Sequence, residues 1–179
     1  MEDIFTPQDN IDLFPQKVMI FKYPINLDLL TKQIYYIQSK FPNSIKHYPK
    51  ELMYQTPPNL LNSSPVFSHL KDFILNIASK NFKSNYALTE SWANICYTYS
   101  YSKFHDHGNS DLSGVFYLKV PPNSGKLEFY NRYDSPEVTS FETWETSLFL
   151  FNGKQPHSTT PNLSKSPKIC IAFNLKKVE

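Results

Sequence analysis

The chain is expected to be a mainly β protein with helices in its N-terminal part, an α+β arrangement in which a sandwich or jelly roll is buttressed by helices. Two observations lead there. Helical periodicity is confined to the first half of the chain. From Tyr86 onward, short runs rich in Val, Ile, Tyr, Phe and Trp alternate with Gly, Pro, Asn and Ser clusters, the pattern of strands and turns. With 179 residues the chain is long enough for one substantial core, so residues 1–179 are expected to form a single domain. In it, 1–85 would be the helical buttress and 86–179 the jelly-roll core.

The first helix is expected near Leu27 to Gln38, where Leu27, Leu29, Leu30, Ile34 and Ile37 recur at helical spacing behind a capping Asn26. A second is expected from about Val66 to Ala78, with Phe67, Leu70, Phe73, Ile74 and Ile77 on one face and Ser64 or Ser68 near its start. Strands are read near 87–100, 112–120, 126–131, 146–152 and 168–175. In the last, a period of two sends Ile169, Ile171, Phe173 and Leu175 to one face and Lys168, Cys170, Ala172 and Asn174 to the other. The second face, small and polar, is either a cavity wall or an ordinary solvent-facing surface.

A net charge of +2 without a run of like charge argues against nucleic acid or an anionic membrane as partner and favours a small-molecule or peptidyl substrate. Arg132 is the sole arginine. Cys96 and Cys170 are too few for a disulfide scaffold and are expected to act as small buried hydrophobes. The N-terminus lacks the basic start and apolar core of a signal peptide, and no apolar run approaches the roughly 18 residues that span a bilayer. A cytoplasmic location is the expectation.

Three of five histidines fall at strand ends or adjoining loops: His105 and His107 before the strand near Leu112, and His157 after the strand ending near Phe151. Residues i and i+2 of an extended segment point to one side, so His105 and His107 can grip one ion. A close pair plus one distant ligand matches the facial triad of a non-haem iron oxygenase. His47 and His69, in the helical part, have no such partners.

Four segments carry a resemblance: LFPQKVMIF, LTESWANI, HDHGNSDLSGVFYLKVPPNSGKLEFYN and FNGKQPHSTTPNLSKSPKICIAFNL. In order and content they resemble a family of small 2-oxoglutarate and iron(II)-dependent oxygenases frequent in marine bacteria and their phages, within the prolyl-hydroxylase-like superfamily. The resemblance implies a double-stranded β-helix, the jelly roll of this superfamily, with His105 as first iron ligand and His157 as the distal one. It implies Fe(II), 2-oxoglutarate as cosubstrate and O2, with ascorbate stimulating, and hydroxylation with release of succinate and CO2. A jelly-roll protein that binds metal or ligand without turnover is the alternative.

Two departures stand out. Most of the superfamily has His-x-Asp where this chain has His105-x-His107, so His107 is taken as second ligand by register, with Asp111 as the carboxylate alternative and Asp106 pointing the wrong way. The superfamily's arginine for the far cosubstrate carboxylate is replaced at the matching position by Lys168, a point charge without a bidentate fork. Arg132 is the only other guanidinium candidate. The resemblance also places Tyr117 and Asn94 at cosubstrate positions, each with a structural role as the alternative. Ser158 and Thr160 adjoin the distal histidine, as support for it or as plain loop.

Overall fold

The computed structural model describes residues 4–13, 16–43, 52–131 and 137–178. Helix α1 spans Leu27–Lys40, and the Asn26 side chain accepts from the Leu29 N–H at its start, as its sequence predicts. Helix α2 spans Ser68–Phe82. It begins later than the periodicity suggests, because Pro65–Phe67 forms a separate 3₁₀ turn in which Ser64 accepts from Val66 N–H. The chain leaves α2 through Lys83 in the left-handed conformation.

Among the described residues ten strands follow one another: β1 Asp9–Leu13, β2 Gln16–Lys22, β3 Met53–Gln55, β4 Asn85–Cys96, β5 Leu112–Lys119, β6 Leu127–Tyr130, β7 Val138–Phe141, β8 Ser147–Asn152, β9 His157–Thr159 and β10 Lys168–Val178. Seven form one sheet in the order β1-β2-β8-β5-β10-β4-β3, and three form a second in the order β7-β6-β9. Every pairing is antiparallel. This is the expected jelly roll with helices against one side.

The first third of the chain differs from its sequence-based reading. Strands β1, β2 and β3 belong to the large sheet, so the segment before residue 86 supplies sheet as well as helices. The short β7 and β9 were likewise not anticipated from the sequence.

The large sheet is buried on both faces, and its side-chain alternation sorts two cores. Toward the helices point Met19 and Phe21 of β2, Leu148 and Leu150 of β8, Phe116 and Leu118 of β5, and Ile169, Ile171, Phe173 and Leu175 of β10. They meet Leu30 and Ile34 of α1 and Phe73, Ile74 and Ile77 of α2. Toward the small sheet point Val18, Ile20, Tyr117, Phe149, Phe151 and Cys170, meeting Leu127 and Phe129 of β6. At roughly 25 cal/mol per Å² of apolar surface removed from water, this two-sided burial is the main source of stability.

Gly114 of β5 sits where two neighbouring strands pack closely. A Cβ there would lie 2.3 Å from the Phe173 ring and 2.6 Å from the Phe149 carbonyl oxygen. Gly114→Ala is therefore expected to cost about 1–3 kcal/mol through overpacking. In a chain of this size that is a fall in Tm of roughly 2–12 °C, and an unchanged Tm would mean that Phe173 moves aside without cost.

Candidate metal centre

The two sheets separate at one end to enclose a cavity of about 270 Å³. One wall is the inner face of β4 and β10: Trp92, Asn94 and Cys96 alternate along β4, and Lys168, Cys170 and Ala172 along β10. The small polar face of the last strand is thus a cavity wall. The two cysteines, expected to be plain buried hydrophobes, both line it. Their contact with each other, together with burial, pushes the Cys96 thiol up.

The opposite lip is built by backbone pairing. His105 N–H donates to His157 O at 3.0 Å and His157 N–H returns to His105 O at 2.9 Å, an isolated antiparallel bridge. The pairing continues through Thr159 N–H to Ser102 O at 3.1 Å and Asn162 N–H to Ser100 O at 2.8 Å. These contacts extend the small sheet and bring two segments distant in sequence side by side. His107 N–H, two residues on, donates to Gly153 O at 2.7 Å.

Side chains of His105, His107 and His157 converge, with their nearest ring nitrogens all within 4.8 Å of one another. Ring centroids lie 5.1 Å apart for His105 and His107, 4.3 Å for His105 and His157, and 5.2 Å for His107 and His157. Backbone carbonyls fix two of the rings: His105 Nδ1 meets Lys103 O at 2.6 Å, and His157 Nδ1 meets Gln155 O at 2.9 Å. A carbonyl accepts only, so both Nδ1 atoms carry a proton, which in a neutral ring leaves the lone pair on Nε2. Phe151 and Phe129 pack on the His157 ring, and Trp92 on the His107 ring.

Burial, reinforced by neighbouring imidazoles, lowers His107 to about 4 and His157 to about 3. Both are therefore neutral at physiological pH, the protonation state of a ligand.

The carboxylate alternatives lie elsewhere. Asp106 Oδ1 accepts from Gly108 N–H at 3.0 Å, a local turn. Asp111 Oδ2 accepts from Lys177 N–H at 2.7 Å and Oδ1 from Lys176 Nζ at 3.4 Å. The Lys177 N–H above all, helped by the Lys176 ammonium, holds the Asp111 carboxyl below its usual range against the opposing effect of burial. Neither joins the three imidazoles.

Lys168 enters the cavity from the start of β10, opposite Cys96. It is 5% exposed, and its ammonium donates to Gly125 O at 2.7 Å and lies 4.8 Å from the centroid of the Tyr117 ring. Gly125 has a φ of +86°, and a Cβ there would meet Thr160 O at 2.3 Å, so only glycine allows this carbonyl to approach. Among the described residues no carboxylate pairs with Lys168, and burial pushes its pKa down. Tyr117 is buried beneath it, and Asn94 lies between Gln55 and Cys170 in the ladder.

Other sequence candidates fall outside this cluster. Ser158, next to His157, faces away and shares Glu128 Oε2 with Tyr130, at 3.0 Å from each hydroxyl. The Thr160 hydroxyl accepts from Lys126 N–H at 2.8 Å and braces the loop before β6. His69 lies in α2. Arg132 and His47 lie outside the described residues. Conversely, Trp92, Phe151 and Gln155 hold the imidazoles in place without having been singled out in the sequence, although Trp92 shares the alternation of Asn94.

Residues 90–174, just under half of the chain, match the model of the family described as "Putative 2OG-Fe(II) oxygenase". That segment is thus similar to the 2-oxoglutarate and iron(II) oxygenases. No curated protein sequence matches the chain significantly. Solved structures with the same fold include a prolyl-4-hydroxylase from Pseudomonas putida, 13% identical over 94% of this chain and 96% of that one, with a TM-score of 0.65. HygX from Streptomyces hygroscopicus, with nickel and 2-oxoglutarate bound, is 13% identical over 89% and 82%, TM-score 0.69. The carbocyclase SnoK from nogalamycin biosynthesis is 11% identical over 89% and 79%, TM-score 0.74. Among the described residues no helix is long and apolar enough to cross a membrane.

This geometry sets two expectations. His105→Ala or His157→Ala should abolish stoichiometric iron binding with the fold retained, whereas Asp111→Ala should bind iron like the wild type. Metal titration decides, and loss of iron in Asp111→Ala with retention in His107→Ala would reverse the ligand assignment. The second concerns acid stability. The two histidines are depressed below the value of about 6.5 they have in an unfolded chain. The unfolded state therefore takes up protons that the folded state refuses. Stability of the metal-free protein should be full above about pH 6.5 and fall as pH drops toward 3, measured as Tm against pH; a Tm that holds level over that range would contradict the buried neutral state.

Proposed function

We propose that the protein is a non-haem iron(II), 2-oxoglutarate-dependent dioxygenase that hydroxylates a small-molecule or peptidyl substrate, releasing succinate and CO2. The observation that carries this reading is the convergence of three imidazoles on the cavity that also holds a buried ammonium with no ion-paired carboxylate among the described residues. The residues fit the group they would hold: nitrogen ligands suit iron, and three of them leave positions open for other molecules. Iron and 2-oxoglutarate together would supply the oxidant that turns C–H into C–OH at the expense of O2.

The chain's own residues do the rest. His105, His107 and His157 present ring nitrogens to the ion, and the carbonyls of Lys103 and Gln155 hold Nδ1 of His105 and His157 so that Nε2 is the binding atom. Lys168, fixed by Gly125 O and the Tyr117 ring, attracts the far carboxylate of the cosubstrate. From Lys168 to Ala172, opposite Trp92 beside His107, the strand runs roughly 13 Å. The lysine stem fills part of that span and leaves room for a short diacid. Phe151 and Phe129 shield the His157 ring from water, and Trp92 shields the His107 ring. Three neutral ligands leave the ion its full charge, where a carboxylate would reduce it, and favour an anionic chelator. Asn94 and Tyr117, which line the same cavity, are the further candidates to touch the cosubstrate. Among the described residues that line the cavity Lys168 is the one lysine or arginine, which favours a small anion over nucleic acid, and two free thiols suit work in the reducing cytoplasm.

The test is aerobic incubation with iron(II), ascorbate and 2-oxoglutarate. Succinate should form slowly without the prime substrate and not at all in His105→Ala, and wild-type protein that yields none would remove the oxygenase reading. In the same series Lys168→Ala should bind iron normally and 2-oxoglutarate about tenfold to a hundredfold more weakly, since a buried charge-assisted contact is worth roughly 1.5–3 kcal/mol. Lys168→Met should match the alanine, separating charge from packing; equal affinity in all three would leave Lys168 a structural residue.

A further inference from the structure

Three sulfur side chains share one stretch of the cavity wall: Met53, Cys96 and Cys170 all line it. Met53 of β3 stands directly opposite Cys96 of β4, and Cys96 stands directly opposite Lys168 of β10. Cys170 pairs with Asn94, two residues along β4 from Cys96. The two thiols are therefore diagonal neighbours on one face of the sheet, and they come close enough to share a hydrogen bond. The imidazole cluster lies further along the same wall, where Trp92, opposite Ala172, packs on His107.

Spacing decides what such a pair can hold. Diagonal partners on adjacent strands have Cα atoms about 7–8 Å apart, beyond the roughly 4.4–6.8 Å that a disulfide spans. A metal ion between the sulfurs adds a bond of about 2.3 Å to each, where a disulfide inserts a single bond of about 2.05 Å. The spacing suits a bridging ion, and both cysteines are free. Thiolate and thioether are soft donors, which select cuprous ion over harder metals. Charge makes the same choice. A monovalent ion between two thiolates leaves one negative charge, which the Lys168 ammonium opposite Cys96 offsets. A divalent ion would leave the complex neutral and the ammonium uncompensated. The Cys96 thiol above all, helped by the Lys168 ammonium and Asn94, holds the Cys170 thiol below its usual range against the opposing effect of burial.

We infer that Cys96 and Cys170, with Met53 beside them, form a second metal site in the cavity, built for a soft monovalent ion of the cuprous class. Each thiol releases its proton as the ion binds, and the Met53 thioether supplies a neutral third donor. The site shares no ligand with the imidazole cluster and depends on neither iron nor 2-oxoglutarate. One wall thus sorts two metals, nitrogen donors at one end and sulfur donors at the other.

Anaerobic titration of the reduced, metal-free protein with cuprous ion, in competition with a coloured cuprous chelator, tests it. Wild type should withdraw one ion per chain, and X-ray absorption of that complex should show sulfur neighbours around copper. Cys96→Ser and Cys170→Ser should each weaken binding about a hundredfold or more, and Met53→Leu, which keeps the side-chain volume, about tenfold. His105→Ala should lose iron and hold cuprous ion as tightly as wild type. The two cysteine variants should hold iron as tightly as wild type, which also shows that they fold. Wild-type protein that withdraws no copper from the chelator overturns the inference. So does a complex with nitrogen neighbours alone, or cuprous binding that is lost in His105→Ala and kept in the cysteine variants. Unchanged affinity in Met53→Leu would remove Met53 from the ligand set.

Discussion

The large sheet is covered on both sides, so each central strand has to satisfy two unlike environments with alternate side chains. On β10 the odd-numbered residues Ile169, Ile171, Phe173 and Leu175 pack against the helical layer. The even-numbered Lys168, Cys170 and Ala172 face the cavity. The stability of the first set makes the second tolerable, since a buried ammonium and a wall of small side chains contribute little packing of their own. A slip of one residue in register would exchange the two sets and place Lys168 among the helices, so the hydrophobic face also fixes the address of every cavity residue.

Much of this was legible from sequence wherever one strand face differs from the other. The alternation of β10 announced both its core face and its cavity face, and the helical spacing from Leu27 announced α1. Strand β2 was not legible, because Val18, Met19, Ile20 and Phe21 are apolar at every position. Both of its faces are buried, so it has no period of two to detect. Strand β9 escaped for another reason: three residues are too few for a period, and it exists only because β6 and the His105 segment lie on either side of it.

The site was partly legible in the same sense. His105 and His107 share a side of an extended segment, which is local and readable, and the structure brings His157 to them by tertiary pairing that no local pattern encodes. The exclusion of Asp111 could not have been read either. It depends on the end of β10 arriving with Lys176 and Lys177 to occupy both carboxylate oxygens.

The bridge between His105 and His157 is made of main chain alone, and so is the tie from His107 N–H to Gly153 O. The socket that gathers the three imidazoles therefore owes nothing to what those side chains are. A carboxylate in place of the imidazole at position 107 would change the charge of the cluster while keeping every main-chain bond that holds it.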